Sequence, residues 1–258
     1  MTDLERCLEF VKTLADRSAG TKVPSAHGVV LLTSNMPDVW SRNYLLLGEG
    51  HGHVSAAELA EEVDAVFRPL GLHHRKIEVF DDATGARLQP GFAKLGWSSE
   101  CDVIMVATRA EDREVDTSGV DEVTADDLVP AWSESWHLDP HVFSDNVAHQ
   151  LIENKRRLPE TRDTRFFAAR VEGETAAYCE LYSDGRTAQI ENVFTLERFR
   201  KRGLARAAVS EALGEARASG HDLVFLIADH DDWPKELYGK LGFDVVGRIW
   251  EFLLPRAG

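Results

Sequence analysis

The 258-residue chain has little of what marks disulfide-rich, metal-binding or membrane proteins. It contains three cysteines, which lie far apart and form no Cys-x-x-Cys pair, so neither a disulfide framework nor a zinc site is indicated. No run of about 18 apolar residues occurs, which argues against a membrane-spanning helix. The first residues do not have the pattern of a signal peptide. The sequence therefore predicts a soluble, cytoplasmic protein.

Positive charge is also scarce. Lys and Arg number 29 against 44 Asp and Glu, which gives a net charge of −15. Because such a surface repels phosphate backbones, we expect no nucleic-acid partner. A cationic small molecule or a basic peptide would be attracted, although the acidity could equally serve solubility alone. We expect no metal ion, because no carboxylate or cysteine stands at ligand spacing from the paired histidines His51 and His53, His73 and His74, and His137 and His141.

Apolar periodicity divides the first half into helices and strands. It predicts a helix over residues 3–18 and strands at 29–32, 44–47, 77–80 and 103–106. Ser55 and Glu58 form a capping box that opens another helix. The glycines between Gly48 and Gly52 precede that helix without any Lys or Arg, so we interpret this loop as a plain turn.

An acidic segment separates the two halves. Between Glu111 and Asp127 there are eight acidic residues and one Arg. This shift in composition predicts a linker at 111–120 between domains 1–110 and 121–258. In the second domain the pattern predicts helices at 127–136, 143–155 and 233–240, with Asp232 as the cap of the last. Strands are predicted at 165–171, 176–182, 187–195, 223–228 and 245–254, with Asp184-Gly185 as a hairpin turn.

The most informative stretch runs from Asn192 to Arg217, where a predicted strand passes through a basic loop into an amphipathic helix. A helix N-terminus offers unpaired N–H groups and a partial positive charge, and it readily binds phosphate. Gly203 lets a ligand approach the backbone closely. The stretch therefore predicts an anion site of a length that suits a pyrophosphate, formed by Arg200, Lys201, Arg202, Gly203, Leu204 and Ala205.

These six residues read Arg-x-x-Gly-x-Ala and resemble the acetyl-coenzyme A loop of the GCN5-related N-acetyltransferase (GNAT) family. A second stretch, residues 237–243, resembles that family's Leu-Tyr-x-x-Leu-Gly-Phe motif. The resemblance covers roughly residues 123–254. It implies acetyl-coenzyme A as acyl donor, bound by the loop and by backbone of Val193, Phe194 and Thr195. Two positions depart from the family pattern, since Asp231 and Pro234 stand where Asn and Ala are common; Asp231 is the counterpart of a cofactor contact.

The resemblance also implies chemical roles. Tyr238 stands where the family commonly has a general acid; a tyrosine, with a pKa near ~10, stays protonated at neutral pH and can protonate a departing thiolate of pKa ~8.5. The alternative role for Tyr238 is packing between helices. A backbone amide around residues 193–195 would donate to the thioester carbonyl as negative charge develops.

The base and the substrate residues are inferred from strand alternation. A two-residue turn at Asp184-Gly185 would pair Glu191 with Tyr178 and place both on one sheet face with Glu180, opposite the face of Phe194. Glu191 is then a candidate base, and Tyr178 and Glu180 are candidate substrate residues. The competing interpretation is a solvated polar sheet face.

A weak internal repeat suggests that the first half is a degenerate copy of the second. At an offset of 146, residues 92–97 align with residues 238–243, with Phe92 in place of Tyr238. We therefore expect a mixed α/β fold of two GNAT-like domains, each a mostly antiparallel sheet flanked by helices. The expected activity is acetyl transfer from acetyl-coenzyme A to the primary amine of a small cation or a basic peptide. A coenzyme A-binding module without turnover, a transferase of longer acyl groups and a homodimer all stay open.

Overall fold

The computed structural model describes residues 1–138, 142, 144–161 and 163–255; His141 and the predicted helix start at Phe143 lie outside them. The helices of the described residues are α1 (Asp3–Ser18), α2 (Ala56–Phe67), α3 (Asp82–Lys94), α4 (Ala125–Trp136), α5 (Asp145–Thr161), α6 (Leu204–Ala218) and α7 (Pro234–Lys240). The strands are β1 (Thr21–Pro24), β2 (Gly28–Leu32), β3 (Tyr44–Leu47), β4 (Arg75–Val79), β5 (Ser98–Ala107), β6 (Val120–Val123), β7 (Asp163–Val171), β8 (Glu174–Asp184), β9 (Thr187–Thr195), β10 (Leu223–Asp229) and β11 (Phe243–Leu254).

The chain forms two compact units. We call Met1–Phe10, Ile104–Ala228 and Asp232–Val246 the C-terminal unit, and Val11–Val103, Asp229–Asp231 and the residues from Gly247 on the N-terminal unit. The acidic residues 111–119 lie in the C-terminal unit and contain no helix or strand. A domain boundary at 111–120 stays a prediction.

The N-terminal unit is built on the strand order β1-β2-β3-β4-β11-β5. The pairs β1–β2, β2–β3 and β4–β11 are antiparallel, and β3 and β4 run parallel. Its core consists of apolar side chains from this sheet and from α2 and α3, with Leu59, Phe92 and Phe252 fully buried. The predicted capping box is confirmed: the Ser55 side chain accepts from the N–H of Glu58, whose carboxylate accepts from the N–H of Ser55.

The C-terminal unit has the strand order β5-β10-β9-β8-β7-β6. The strands β6 to β9 form an antiparallel meander, and β10 pairs parallel to β9. On one face α4 packs through Trp132, which is fully buried with Phe166 and Tyr178. On the other face lies α6, where the thiol of Cys179 contacts the carbonyl of Ala208. The predicted mixed α/β class is confirmed, with a mostly antiparallel sheet.

Each unit contains a strand segment that comes from the other half of the sequence. The final residues of β11 pair with β4 in the N-terminal unit, where Phe252 lies opposite Ile77. The end of β5, from Ile104 on, belongs instead to the C-terminal unit. The sequence analysis did not predict this exchange.

The element bounds extend the internal repeat that residues 92–97 suggested. A shift of 146 residues brings the elements from α1 to β5 onto those from α5 to β11 in the same order. The pairing directions also agree, because β1 to β3 and β7 to β9 are antiparallel while β3–β4 and β9–β10 are parallel. Both halves thus have the same sequence of strands and helices.

Three local predictions were wrong. The hairpin turn is Gly185-Arg186, because Asp184 still pairs with Thr187, so Glu191 lies opposite Glu180 rather than Tyr178. Phe194 lies opposite Tyr178 and stacks on it, on the face where Glu180 also lies. The cap of α7 is Trp233, whose N–H donates to the Asp232 carboxylate. The first correction follows from the position of the turn, and the second follows from one extra residue in β9, described below.

Candidate active site

The candidate site lies where β9 and β10 separate. The two parallel strands are paired from Thr187 opposite Leu223 to Ile190 opposite Leu226. Beyond Ile190 the described strands show no further pairing, although β9 continues to Thr195 and β10 to Asp229. Among the described strands, β9 therefore has no neighbour on that side from Asn192 to Thr195, so backbone groups that point there can meet a ligand.

The N-terminus of α6 lies just beyond this edge. No side chain caps the helix, and its first turn has no acidic residue. Within the described chain, the N–H groups of residues 201–206 donate to no protein acceptor, and the first such bond of α6 runs from Ala207 to Gly203. Gly203 has φ +79°, and a Cβ placed there would have no atom within 4 Å. These unpaired amides at a positive helix end form an open anion site.

The basic side chains of the loop divide into two groups. Arg198 is paired with Glu134 and Glu174, and the buried Arg206 is paired with Asp112 at 2.6 Å. In contrast, the described residues place no carboxylate in ion-pair distance of Arg200, Lys201 or Arg202, all of which are exposed.

Two of these three cations make other contacts within the loop region. Arg200 donates to the carbonyl of Thr195 at 3.3 Å, and Arg202 lies over the ring of Phe199 at 5.4 Å. The loop therefore keeps three cations free for an anionic ligand, which fits the pyrophosphate of coenzyme A.

Tyr238, on α7, is the buried acid candidate. It is 7% exposed, and its ring contacts Phe243 edge-on at 6.4 Å. Burial raises the pKa of Tyr238, and the nearby Glu191 carboxylate and Cys179 thiol raise it further. The hydroxyl therefore stays protonated at neutral pH, near the predicted base Glu191, which lies where β9 leaves β10. Glu191 is half-buried and accepts a hydrogen bond from Gln189 at 2.6 Å.

The two predicted substrate residues lie beneath this surface. Tyr178 is 1% exposed, and its hydroxyl is hydrogen-bonded to Ser135 of α4 at 2.8 Å. Glu180 is fully buried and is ion-paired with Lys155 of α5 at 2.7 Å. A substrate could touch either side chain only after it became accessible. Both residues therefore lie below the surface of the site in this structure, while Glu191 lies at that surface.

The remaining predicted contact, Asp231, belongs to the N-terminal unit. Its carboxylate contacts Nδ1 of His230 at 2.8 Å, and its N–H donates to Asp229. A role of Asp231 in binding the donor stays a prediction. Among the described residues no group of His, Cys, Asp and Glu could hold a metal ion, and no helix is long and apolar enough to cross a membrane.

Sequence reasoning missed Lys155, Asn192 and Arg206. Lys155 was one basic residue among many on an amphipathic helix, and its partner Glu180 is 25 residues away. Arg206 directly follows the predicted loop in the sequence, but its buried side chain is neutralised by Asp112. Asn192 carried the one usable signal, because Asn is among the few non-glycine residues that tolerate positive φ, and its φ is +52°.

A sheet that opens between two parallel strands, beside an open helix N-terminus and a buried tyrosine, suits an acyltransferase. The family comparison agrees: residues 126–243 match the model of the Acetyltransferase (GNAT) family, and this segment is a GNAT acetyltransferase domain. No curated protein matches the chain.

Solved structures resemble the whole chain in fold. A functionally unknown conserved protein from Staphylococcus epidermidis has 15% identity and a TM-score of 0.68, covering 92% of this chain and 94% of its own. A GCN5-related N-acetyltransferase from Kribbella flavida has 18% identity and a TM-score of 0.60, covering 95% of each chain. A tandem GNAT protein from the clavulanic acid biosynthesis pathway has 14% identity and a TM-score of 0.53, covering 75% of this chain and 67% of its own.

Proposed function

We propose that the chain transfers an acetyl group from acetyl-coenzyme A to a primary amine of a small cationic molecule or a basic peptide. The open N-terminus of α6 carries this proposal, because its unpaired amides and its three cations without a carboxylate partner suit a pyrophosphate. Bound acetyl-coenzyme A would supply an acyl thioester. The rest of the proposal concerns what the protein's own groups do around it.

Tyr238 would act as the general acid. Its raised pKa keeps the hydroxyl protonated, while a thiol such as that of coenzyme A has a pKa near ~8.5. The hydroxyl can therefore give its proton to a thiolate that leaves, and afterwards it regains a proton from solvent. General acids of this kind typically contribute about 10²–10⁴-fold to the rate.

Glu191 and the unpaired edge of β9 would serve the amine and the carbonyl. An alkyl amine with a pKa near ~10.4 reaches the site mostly protonated, so the Glu191 carboxylate can attract the cation and then accept its proton. One backbone N–H around Val193, Phe194 and Thr195, where β9 has no strand partner on the β10 side, would donate to the carbonyl oxygen as charge develops. Net acidity favours a cationic acceptor over an anionic one.

The N-terminal unit would be a degenerate copy that binds no coenzyme A. The capping box of Ser55 and Glu58 occupies the helix N-terminus that corresponds to the open one of α6. In addition, α2 and α3 pack closely, since a Cβ on Gly91 would come within 2.8 Å of the Ala56 methyl. The same order of elements therefore leaves the helix N-terminus open at α6, whereas at α2 it is capped and packed against α3.

The test is Gly203→Glu, measured by titration calorimetry with acetyl-coenzyme A. The added carboxylate would lie among the unpaired amides and replace the phosphate charge, so we expect binding to be lost while the fold is kept. Gly214→Glu makes the same exchange at an exposed position of the same helix, with no atom within 4 Å of its Cβ, and should bind normally. Gly203→Asn, which tolerates positive φ, separates the charge from backbone strain. Unchanged affinity in a folded Gly203→Glu protein would refute the loop assignment.

Turnover distinguishes the remaining possibilities. Thiol release from acetyl-, propionyl- and longer acyl-coenzyme A, with a panel of small amines and basic peptides, would identify the acyl length and the acceptor. A protein that binds acetyl-coenzyme A but releases no thiol with any amine would instead be a coenzyme A-binding module.

A further inference from the structure

The edge of β9 at the candidate site is shaped by a β-bulge. Tyr178 on β8 lies opposite Phe194, but Glu180 lies opposite Glu191, so β9 contains one residue more than β8 over this span. The extra length falls at Asn192 and Val193, opposite Cys179. Bulges of this kind bend a strand and end its pairing. The pairing of β9 with β10 ends at Ile190, immediately before the bulge.

The bulge depends on an unusual backbone conformation at Asn192. Its φ of +52° lies in the left-handed region, which costs a residue with a Cβ about tenfold in population or more. The side chain is held in place, because Nδ2 of Asn192 donates to Oε1 of Glu180 at 2.6 Å. Asparagine itself tolerates this region better than most residues.

Glu180 is in turn fixed by groups of its own. It is fully buried, and its second oxygen accepts from Lys155 Nζ at 2.7 Å and from the hydroxyl of Tyr182. Lys155 is 14% exposed and also donates to the Tyr182 hydroxyl at 3.0 Å. A buried carboxylate persists in its charged form only with such partners. The contacts connect α5 through Glu180 to the bulge of β9.

We propose that Glu180, held by Lys155, is a positioning residue that keeps Asn192 in its left-handed conformation and so shapes the unpaired edge of β9 for the acyl thioester. The inference rests on the proposed function, since that edge acts only if a thioester binds there. Two of the three electrostatic neighbours of Tyr238 are Glu191 and Cys179, and both adjoin the bulge. A shift of the bulge would therefore also displace the acid from the carbonyl donors.

The test is a double-mutant cycle between positions 180 and 192. Asn192→Gly removes the side chain but allows positive φ freely, so its kcat should stay within a few-fold of wild type. Asn192→Ala removes the same hydrogen bond and disfavours positive φ, so its kcat should fall by about tenfold or more. Glu180→Gln should lower kcat by about tenfold in the wild type and by much less in the Asn192→Gly background.

Two readouts separate positioning from a structural role. In Asn192→Ala the affinity for acetyl-coenzyme A should fall relative to that for coenzyme A, because only the thioester meets the bulge. Hydrogen exchange of the 189–196 peptide should accelerate in Glu180→Gln, with little change elsewhere. Tyr182→Phe removes one donor to Glu180 and keeps Lys155 and Asn192, so it should lower kcat less than Glu180→Gln does. Glu172→Ala, at another left-handed residue in the turn between β7 and β8, controls for backbone strain.

The outcomes are distinguishable from failure of the proposed function. If the wild-type protein shows no turnover with any amine, the proposed transferase activity is refuted. Hydrogen exchange of the 189–196 peptide in Glu180→Gln would still decide whether Glu180 fixes the bulge. Unchanged exchange in Glu180→Gln overturns the inference. So does a kcat loss from Glu180→Gln that is equally large with and without Asn192→Gly, or an Asn192→Gly protein as impaired as Asn192→Ala. If Glu180→Gln is too unstable to assay, the comparison of Asn192→Gly with Asn192→Ala decides alone.

Discussion

The last strand of the chain should be indispensable to the N-terminal unit, and Phe252→Ala is the sharpest test. Phe252 is fully buried, 4.3 Å from the ring of Phe92 and nearly parallel to it. Two residues earlier, Trp250 packs so closely that a Cβ on Gly85 would come within 2.1 Å of it. The core of this unit therefore depends on residues that lie about 160 positions further along the sequence than Phe92 and Gly85.

The expected loss is large. Truncating a buried Phe to Ala typically costs about 3–5 kcal/mol, through lost apolar burial and the cavity that remains. Whole domains have stabilities of only about 5–15 kcal/mol. Urea unfolding should show this destabilisation, and hydrogen exchange should locate it in peptides from β3, α2 and β4.

An ion pair adds to the same dependence. Lys76 is 6% exposed and contacts Glu251 at 2.5 Å and Glu78 at 3.2 Å. Burial alone would lower the pKa of Lys76, but the two carboxylates outweigh it and raise the pKa above its ordinary value. Loss of β11 would remove Glu251 and leave the buried ammonium with one partner, which is strongly destabilising in such settings.

A control for Phe252→Ala is available on the same strand. Val245→Ala changes a residue of β11 that is 52% exposed, so it should cost little. A fragment of residues 1–110 should fail to fold cooperatively, and a peptide of residues 247–255 should restore its structure. If the fragment folds cooperatively by itself, or if Phe252→Ala loses less than about 1 kcal/mol, the strand exchange does not contribute as argued.

Two further predictions concern the candidate site. Tyr238→Phe keeps the packing and removes the proton, so kcat should fall by about 10²–10⁴-fold with donor affinity nearly kept. Because the pKa of Tyr238 is raised, the loss should be similar from about pH 6 to about pH 9. Turnover within a few-fold of wild type would make Tyr238 a packing residue. Titration of the intact protein should show one donor site per chain, absent in Gly203→Glu, and a second site or a residual one would contradict the degenerate role of the N-terminal unit.

Local patterns in the sequence predicted the elements well. Residues such as Ser55 and Glu58 determine a helix start through contacts three positions apart, so the capping box could be recognised directly. The open start of α6 was equally local, because Gly203 and the basic residues beside it are contiguous. Such features need no knowledge of distant parts of the chain.

Features that depend on distant pairing could not be predicted in this way. The bulge at Asn192 shifts the register by one residue, which moves Phe194 to the other face. Strict alternation has no means to locate that residue, since the sequence around it is continuous strand. The exchange of final strands is similar, because β5 and β11 each carry apolar residues that would suit either sheet.

The two helix starts show why a shared order of elements does not imply a shared site. At α2, the Ser55 hydroxyl and the Glu58 carboxylate satisfy backbone amides within the protein, and the carboxylate adds negative charge where an anion would bind. At α6, Gly203 has no side chain to do so, and the amides of residues 201–206 lack acceptors in the described chain. Unpaired amides cost stability unless water or a ligand meets them. The C-terminal unit therefore gives up at α6 the stabilisation that α2 gains from its cap, and retains an anion-binding surface in exchange.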